Sequence, residues 1–182
     1  MRKIIRITLI TLTAALVLIQ FIRPQKNISE ATDANDITSK YSIPDEVQHV
    51  LKVSCYDCHS NNTRYPWYWQ IQPVTWFMNM HITDAKRDLN FSSFASYPIW
   101  KQYKLFDDIN KEVKSGDMPL KSYTLIHRDA ILRDSQKLAI ANWALSSRKE
   151  IKKDFPPDSL KTNKPGRQRH TADDAVITVS FL

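Results

Sequence analysis

Both cysteines of this chain fall in one stretch, Cys55-Tyr56-Asp57-Cys58-His59. Two thiols three positions apart, followed directly by an imidazole, form the attachment pattern of c-type haem. Each sulfur can add across one vinyl group at the porphyrin edge. The next residue, His59, is then carried beneath the ring, where its nitrogen can bind iron. A C-x-x-C pair also marks thioredoxin-like redox sites, but those sit between a strand and a helix. Here a helical pattern leads into Cys55, and a polar, aromatic loop from Ser60 to Gln72 follows His59. A structural zinc site needs a second pair of ligands, whereas His49, His81, His127 and His170 stand singly and far apart. A simple disulfide is the remaining alternative in an oxidising compartment. The motif points most strongly to one covalent haem c.

Haem iron is commonly held from both faces, so a second ligand is sought. Met118 lies in Ser115-Gly116-Asp117-Met118-Pro119-Leu120. Gly116 permits a sharp turn there, and Pro119 stiffens the chain beside the sulfur. A Met/His pair raises the reduction potential. His81 is the second choice, as ligand or as pocket neighbour, because it shares an apolar helical stripe. His127 ranks below it, and Met78 and Met80 read as packing residues. The run Tyr65-Pro66-Trp67-Tyr68-Trp69, with Trp76 soon after, is dense in aromatic rings for a loop. Trp67 and Trp76 are therefore expected against the porphyrin, covering it and excluding water. Arg64 is a candidate counter-charge for a propionate.

These groups must be held by helices. Only Gly116 and Gly166 are glycine, and no alternating run of strand length occurs in 41–151. Ser42-Ile43-Pro44-Asp45 has capping-box spacing and starts the first helix. Val47, Val50, Leu51 and Cys55 share one face and deliver the thiols. A second helix is expected from Pro73 to Leu89, with Val74, Phe77, Met78, His81, Ala85 and Leu89 on one stripe. A third runs from Pro98 to Ser115, stopped by Gly116. Ile99, Tyr103, Phe106, Ile109 and Val113 form its buried stripe. The fourth spans Asp134 to Lys149 and presents Leu138, Ala141 and Leu145, with Trp143 on an adjoining face. The fold class is thus all-α, a small cytochrome c-like domain over 41–151 wrapped around one haem.

Outside that domain, Ile7 to Ile22 is a run of sixteen uncharged, largely apolar residues behind Arg2, Lys3 and Arg6. As a helix it spans about 24 Å, somewhat short of a ~30 Å hydrocarbon layer unless Ile4 and Ile5 are recruited. Residues 1–22 are read as an uncleaved membrane anchor in preference to a cleaved signal peptide, whose A-x-A-like site is poorly matched. Since c-type attachment occurs outside the cytoplasmic membrane, the expected location is a single-pass bacterial inner-membrane protein with its haem domain in the periplasm. Residues 23–40 read as a flexible tether and 152–182 as a mostly disordered tail. The net charge of +7 is spread along the chain as +3, +2 and +2 over residues 1–40, 41–151 and 152–182. No basic stripe speaks for a nucleic-acid partner. Two isolated glycines rule out a phosphate-cradling loop, and no H-E-x-x-H or G-x-S-x-G occurs.

In order, C-Y-D-C-H-S, Y-P-W-Y, P-V-T-W, His81, N-F-S (90–92), G-D-M-P-L-K-S-Y-T-L-I-H and a Trp-bearing final helix resemble the bacterial haem-binding-domain family of anchored, single-haem proteins. The likeness covers roughly residues 41–148 and is similar, more broadly, to class I c-type cytochromes. It implies Cys55 and Cys58 as thioether sites, His59 as proximal ligand and Met118 as distal ligand. It also implies electron transfer. Ala85 stands where that pattern expects glycine, and Arg133 where a small capping residue is usual. The expected function is one-electron transfer at the cell envelope, without catalysis and with redox partners unknown. A haem-based sensor of small ligands is the alternative. A haem peroxidase, for which His81 is the only distal acid/base candidate, is the enzyme alternative.

Overall fold

The computed structural model describes residues 1–29 and 34–161. Among these, all regular structure is helical: α1 (Arg2–Ile19), α2 (Asp45–Ser54), α3 (Tyr56–His59), α4 (Val74–Asp88), α5 (Ile99–Ser115), α6 (Lys121–Thr124) and α7 (Asp134–Asp154), with short 3-10 turns between. The all-α expectation agrees with this. α5 and α7 form the most extensive helix pair, and α2 packs on α7.

The core is aromatic. Phe106 of α5 is fully buried and meets Trp143 edge-on at 5.5 Å, Phe94 at 5.1 Å and Tyr41 at 4.9 Å. Such pairs add to area burial when rings meet edge to face. Val47, Val50 and Leu51 of α2 are buried beside them, as their spacing predicts. The start of α2 differs from expectation. Its N-cap is Pro44, no side chain caps it, and the Ser42 carbonyl accepts from Trp143 Nε1 at 3.1 Å instead. α7 begins at Asp134 despite Arg133, because Gln136 Oε1 accepts from the Arg133 backbone N–H. Its buried face is Ile140, Ala141, Trp143, Ala144 and Ile151, while Leu138 and Leu145 are exposed. Trp143, the largest side chain on the helix, turns inward, and the face containing the two leucines turns out. α5 ends at Gly116, whose φ of +79° is left-handed.

The membrane anchor expected at residues 1–22 is not supported. Among the described residues no helix is long and apolar enough to cross a membrane. α1 carries Arg2, Lys3 and Arg6 within its own first turns and ends at Ile19. Its uncharged part, residues 7–19, spans about 20 Å, against a ~30 Å hydrocarbon layer. The single-pass inner-membrane location drawn from that anchor is withdrawn with it.

Residues 23–40, expected as a flexible tether, are held against the domain wherever they are described. Asn27 is the centre of one clamp. Its side-chain amide donates to Ser60 O and Thr63 Oγ1, its N–H donates to Tyr65 Oη, and its carbonyl accepts from Thr63 N. Farther along, Ile37 is fully buried, and Gln102 Oε1 accepts from Tyr41 Oη at 2.6 Å and Lys40 Nζ at 3.0 Å. Polar composition misleads here because the segment is fastened by hydrogen bonds rather than by an apolar stripe. Of the expected tail, 152–161 continues α7 and adds a 3-10 turn, Pro157–Leu160. Residues 162–182 lie outside the described residues.

Candidate functional site

α2 ends at Ser54, and the chain re-enters a single helical turn, α3, whose N-cap is Cys55. His59 N and Cys58 N both donate back to Cys55 O. That turn carries both cysteines and His59 within one helical turn. Both thiols are free and half-buried. Burial pushes Cys55 up to about 12 and Cys58 up to about 11. They are therefore neutral S–H groups at ordinary pH, poor in the thiolate that drives disulfide exchange.

His59 Nδ1 lies 2.9 Å from the Leu89 carbonyl just past α4. A carbonyl only accepts, so Nδ1 carries the proton and Nε2 keeps its lone pair. Burial lowers the affinity of the ring for a second proton, with the Leu89 and Ala85 carbonyls and the charge of Asp88 opposing. A neutral ring oriented through its second nitrogen is what a metal-binding histidine requires.

A cavity of about 730 Å³ opens beside this turn, within the ~300–1,000 Å³ usual for cofactor sites. Cys55 and His59 line it, with His81, Ala85 and Leu89 from the α4 side, Ile109 and Val113 from α5, and Met118 from the following loop. Cys58 lines a second cavity of about 160 Å³, among Val74, Phe77, Met78 and His127. His81 and Leu120 line both, so each thiol borders hollow space. The apolar stripe of α4 is accordingly only half-buried. Phe77 is exposed, and Val74, Met78, His81 and Ala85 are intermediate, because the stripe faces these hollows. His81 Nδ1 meets the Phe77 carbonyl at 2.8 Å, which leaves its Nε2 free as well.

The structure thus brings Cys55, His59, His81 and Met118 to one cavity. It does not bring Trp67 or Trp76 there. Trp67 is 77% exposed, and Trp76, on the outer side of α4, donates to Ile22 O. The tryptophan that lines the larger cavity is Trp100, beside Lys101 and Lys104. Sequence reading passed over it because it stands alone, outside the aromatic run. His127 is hydrogen-bonded to Tyr68 and stacked on Tyr123.

A second omission is Asp57, between the cysteines. It is buried, and Oδ1 accepts from Arg64 N and Nε at 3.2 and 3.1 Å. Oδ2 accepts from Arg64 Nη2 at 3.2 Å and from Tyr123 Oη at 2.7 Å. Arg64, expected as a propionate partner, is committed to this carboxylate, which raises the pKa of the guanidinium. Among the described residues, no group of three or more His, Cys, Asp or Glu converges as a metal-ion site.

The sequence matches the model of the haem-binding domain family over residues 14–146. The chain belongs to the haem-binding domain family. The match starts inside α1, so the strap through Asn27 falls within the haem-binding domain. No curated protein and no solved structure matches the chain significantly. This haem-binding domain offers a hollow of suitable size lined by the imidazole of His59 and the free thiol of Cys55, with the free thiol of Cys58 on the smaller hollow next to it. The residues present fit the group that the family name implies.

Proposed function

We propose that the protein carries a single haem c, joined by thioether bonds to Cys55 and Cys58, and serves as a one-electron carrier rather than an enzyme. Bound haem supplies reversible one-electron chemistry at its iron. The chain's own residues do the rest. His59 would hold the iron through Nε2, with Leu89 O fixing the ring through Nδ1. Met118, on the cavity wall, would supply a thioether ligand, which favours the reduced state. Ile109, Val113 and Leu89 exclude water, which disfavours the charged oxidised form. The observation that carries the reading is that Cys55 and His59, from the attachment turn, and Met118, from the loop after α5, line one cavity.

His81 carries the second reading. It lines the same cavity with Nε2 unengaged, so it competes with Met118 for the sixth position. A weakly held or exchangeable sixth ligand would make the protein a sensor of small ligands instead. Carbon monoxide binding to the reduced protein separates the two. Slow or absent binding is expected of the carrier, and rapid binding contradicts it. Met118→Ala is expected to remove the far-red charge-transfer absorption of sulfur-ligated ferric haem and to lower the midpoint potential. An unchanged spectrum transfers the role to His81.

A further inference from the structure

The Tyr123 hydroxyl joins the segment that bears Met118 to the one that bears His59, with its short hydrogen bond to Asp57 Oδ2 and a longer contact to Val53 O at 3.4 Å. Met118-Pro119-Leu120 is spanned between two anchors. On one side, Met118 N and Asp117 N both donate to Glu112 O at the end of α5. On the other, Tyr123 N and Thr124 N both donate to Leu120 O at 3.0 Å, so α6 is a rigid continuation of the methionine loop. α6 in turn is fastened to the attachment turn through Tyr123 Oη, 2.7 Å from Asp57 Oδ2. Asp57 lies two residues before His59 and is gripped by three donors from Arg64, so it is a fixed post.

We infer that Tyr123, through this hydrogen bond to Asp57, is a positioning residue that holds the Met118 loop closed against the His59 turn. The inference rests on the reading of Met118 as axial ligand and adds what keeps it there. Asp57 and Tyr123 do not line the larger cavity, which holds His59 and Met118, but border the smaller hollow beside Cys58, so the phenol reaches the candidate ligands through the loop and the turn that it joins. Asp57 is held in the same way by Arg64 whether or not Tyr123 has its hydroxyl. Losing a hydrogen bond to a buried carboxylate shifts a closed-to-open equilibrium by roughly ten- to a hundredfold.

The test uses the haem-loaded full chain and its Tyr123→Phe, Asp57→Asn and Tyr41→Phe variants. Carbon monoxide association with the reduced protein and the far-red absorption of the oxidised protein are the readouts. Tyr123→Phe is expected to keep its covalent haem and helical circular dichroism. Its carbon monoxide association should be about ten- to a hundredfold faster, and its far-red band should be weaker. Asp57→Asn keeps one acceptor oxygen and moves the same readouts less, and it carries the test if the first variant does not mature. Tyr41→Phe deletes a buried hydroxyl bonded to Gln102; it lowers stability and leaves both readouts unchanged. A haem-loaded Tyr123→Phe protein with wild-type association rate and spectrum overturns the inference. A wild type without the far-red band overturns Met118 as ligand, and the inference falls with it.

Discussion

The two halves of this domain are packed to different ends. Between α2, α5 and α7, Phe106 and Phe94 are fully buried among interlocking rings. Between α4 and the Met118 loop, about 730 Å³ stays open beside Cys55 and His59, with another 160 Å³ beside Cys58. Interiors normally close to crystal-like density, so apolar walls around that much space mark a half whose packing is completed by something other than side chains. The contrast explains why α4 has an apolar stripe without a buried one. It also explains why the fastenings on that side are polar and specific, through Leu89 O, Asp57 and Asn27 rather than through a hydrophobic seam.

If the hollow half is finished by haem, its loading produces the largest effect. The haem-loaded chain is expected to melt about 10 °C or more above the Cys55→Ser/Cys58→Ser protein, which keeps its helices but not the group. Equal melting temperatures would break the contrast. Next in size is the packed half. Phe106→Ala is expected to cost about 3–5 kcal/mol by denaturant unfolding, as for other buried aromatic residues. Val74→Ala, on the hollow side, is expected to cost about 1 kcal/mol or less in haem-free protein. A loss equal to that of Phe106→Ala would mean that the hollow closes in solution. Gly116→Ala is expected to cost about 1 kcal/mol, all of it backbone strain at φ +79°, since an added Cβ meets nothing within 4 Å.

The smallest effect is electrostatic and belongs to the packed half. Asp107 of α5 pairs with Lys111 at 2.7 Å and with Arg148 of α7 at 2.8 Å. The hydrogen bond from Lys111, followed by the charge of Arg148, holds its carboxyl below the usual range. A depressed folded pKa gives stability that is present above the unfolded value and lost as pH falls through the folded one. Asp107→Asn is therefore expected to be less stable than wild type at neutral pH by about 0.5 kcal/mol, with the gap closing below the carboxylate range. A gap that persists in acid would assign the loss to packing.

What could be read in advance follows the same division. Val47, Val50, Leu51, Phe106, Ile109 and Val113 announce their burial through helical spacing, and all six are buried. The attachment motif and the Gly116–Met118 turn are local in sequence and easily seen. α7 misled because its leucines suggested a face that Trp143 overrides. Least visible were contacts that join distant residues through single polar atoms. Asn27 to Thr63, Tyr41 to Gln102 and Asp57 to Tyr123 span 36, 61 and 66 positions. No periodicity records such bonds, so a strap read as a tether and a charged residue between two cysteines passed without notice. Arginine at 1–6 also mattered more than the apolar run behind it, since helix α1 includes those charges.

Haem, as proposed, would complete the hollow half by covalent bonds to Cys55 and Cys58. Intact mass of the full chain, matured in a host competent for cytochrome biogenesis, tests it most directly. The expected result is a mass above that of the bare polypeptide by one haem, lost in Cys55→Ser/Cys58→Ser. A bare-polypeptide mass for the wild type, from a host that loads a control cytochrome, contradicts the account.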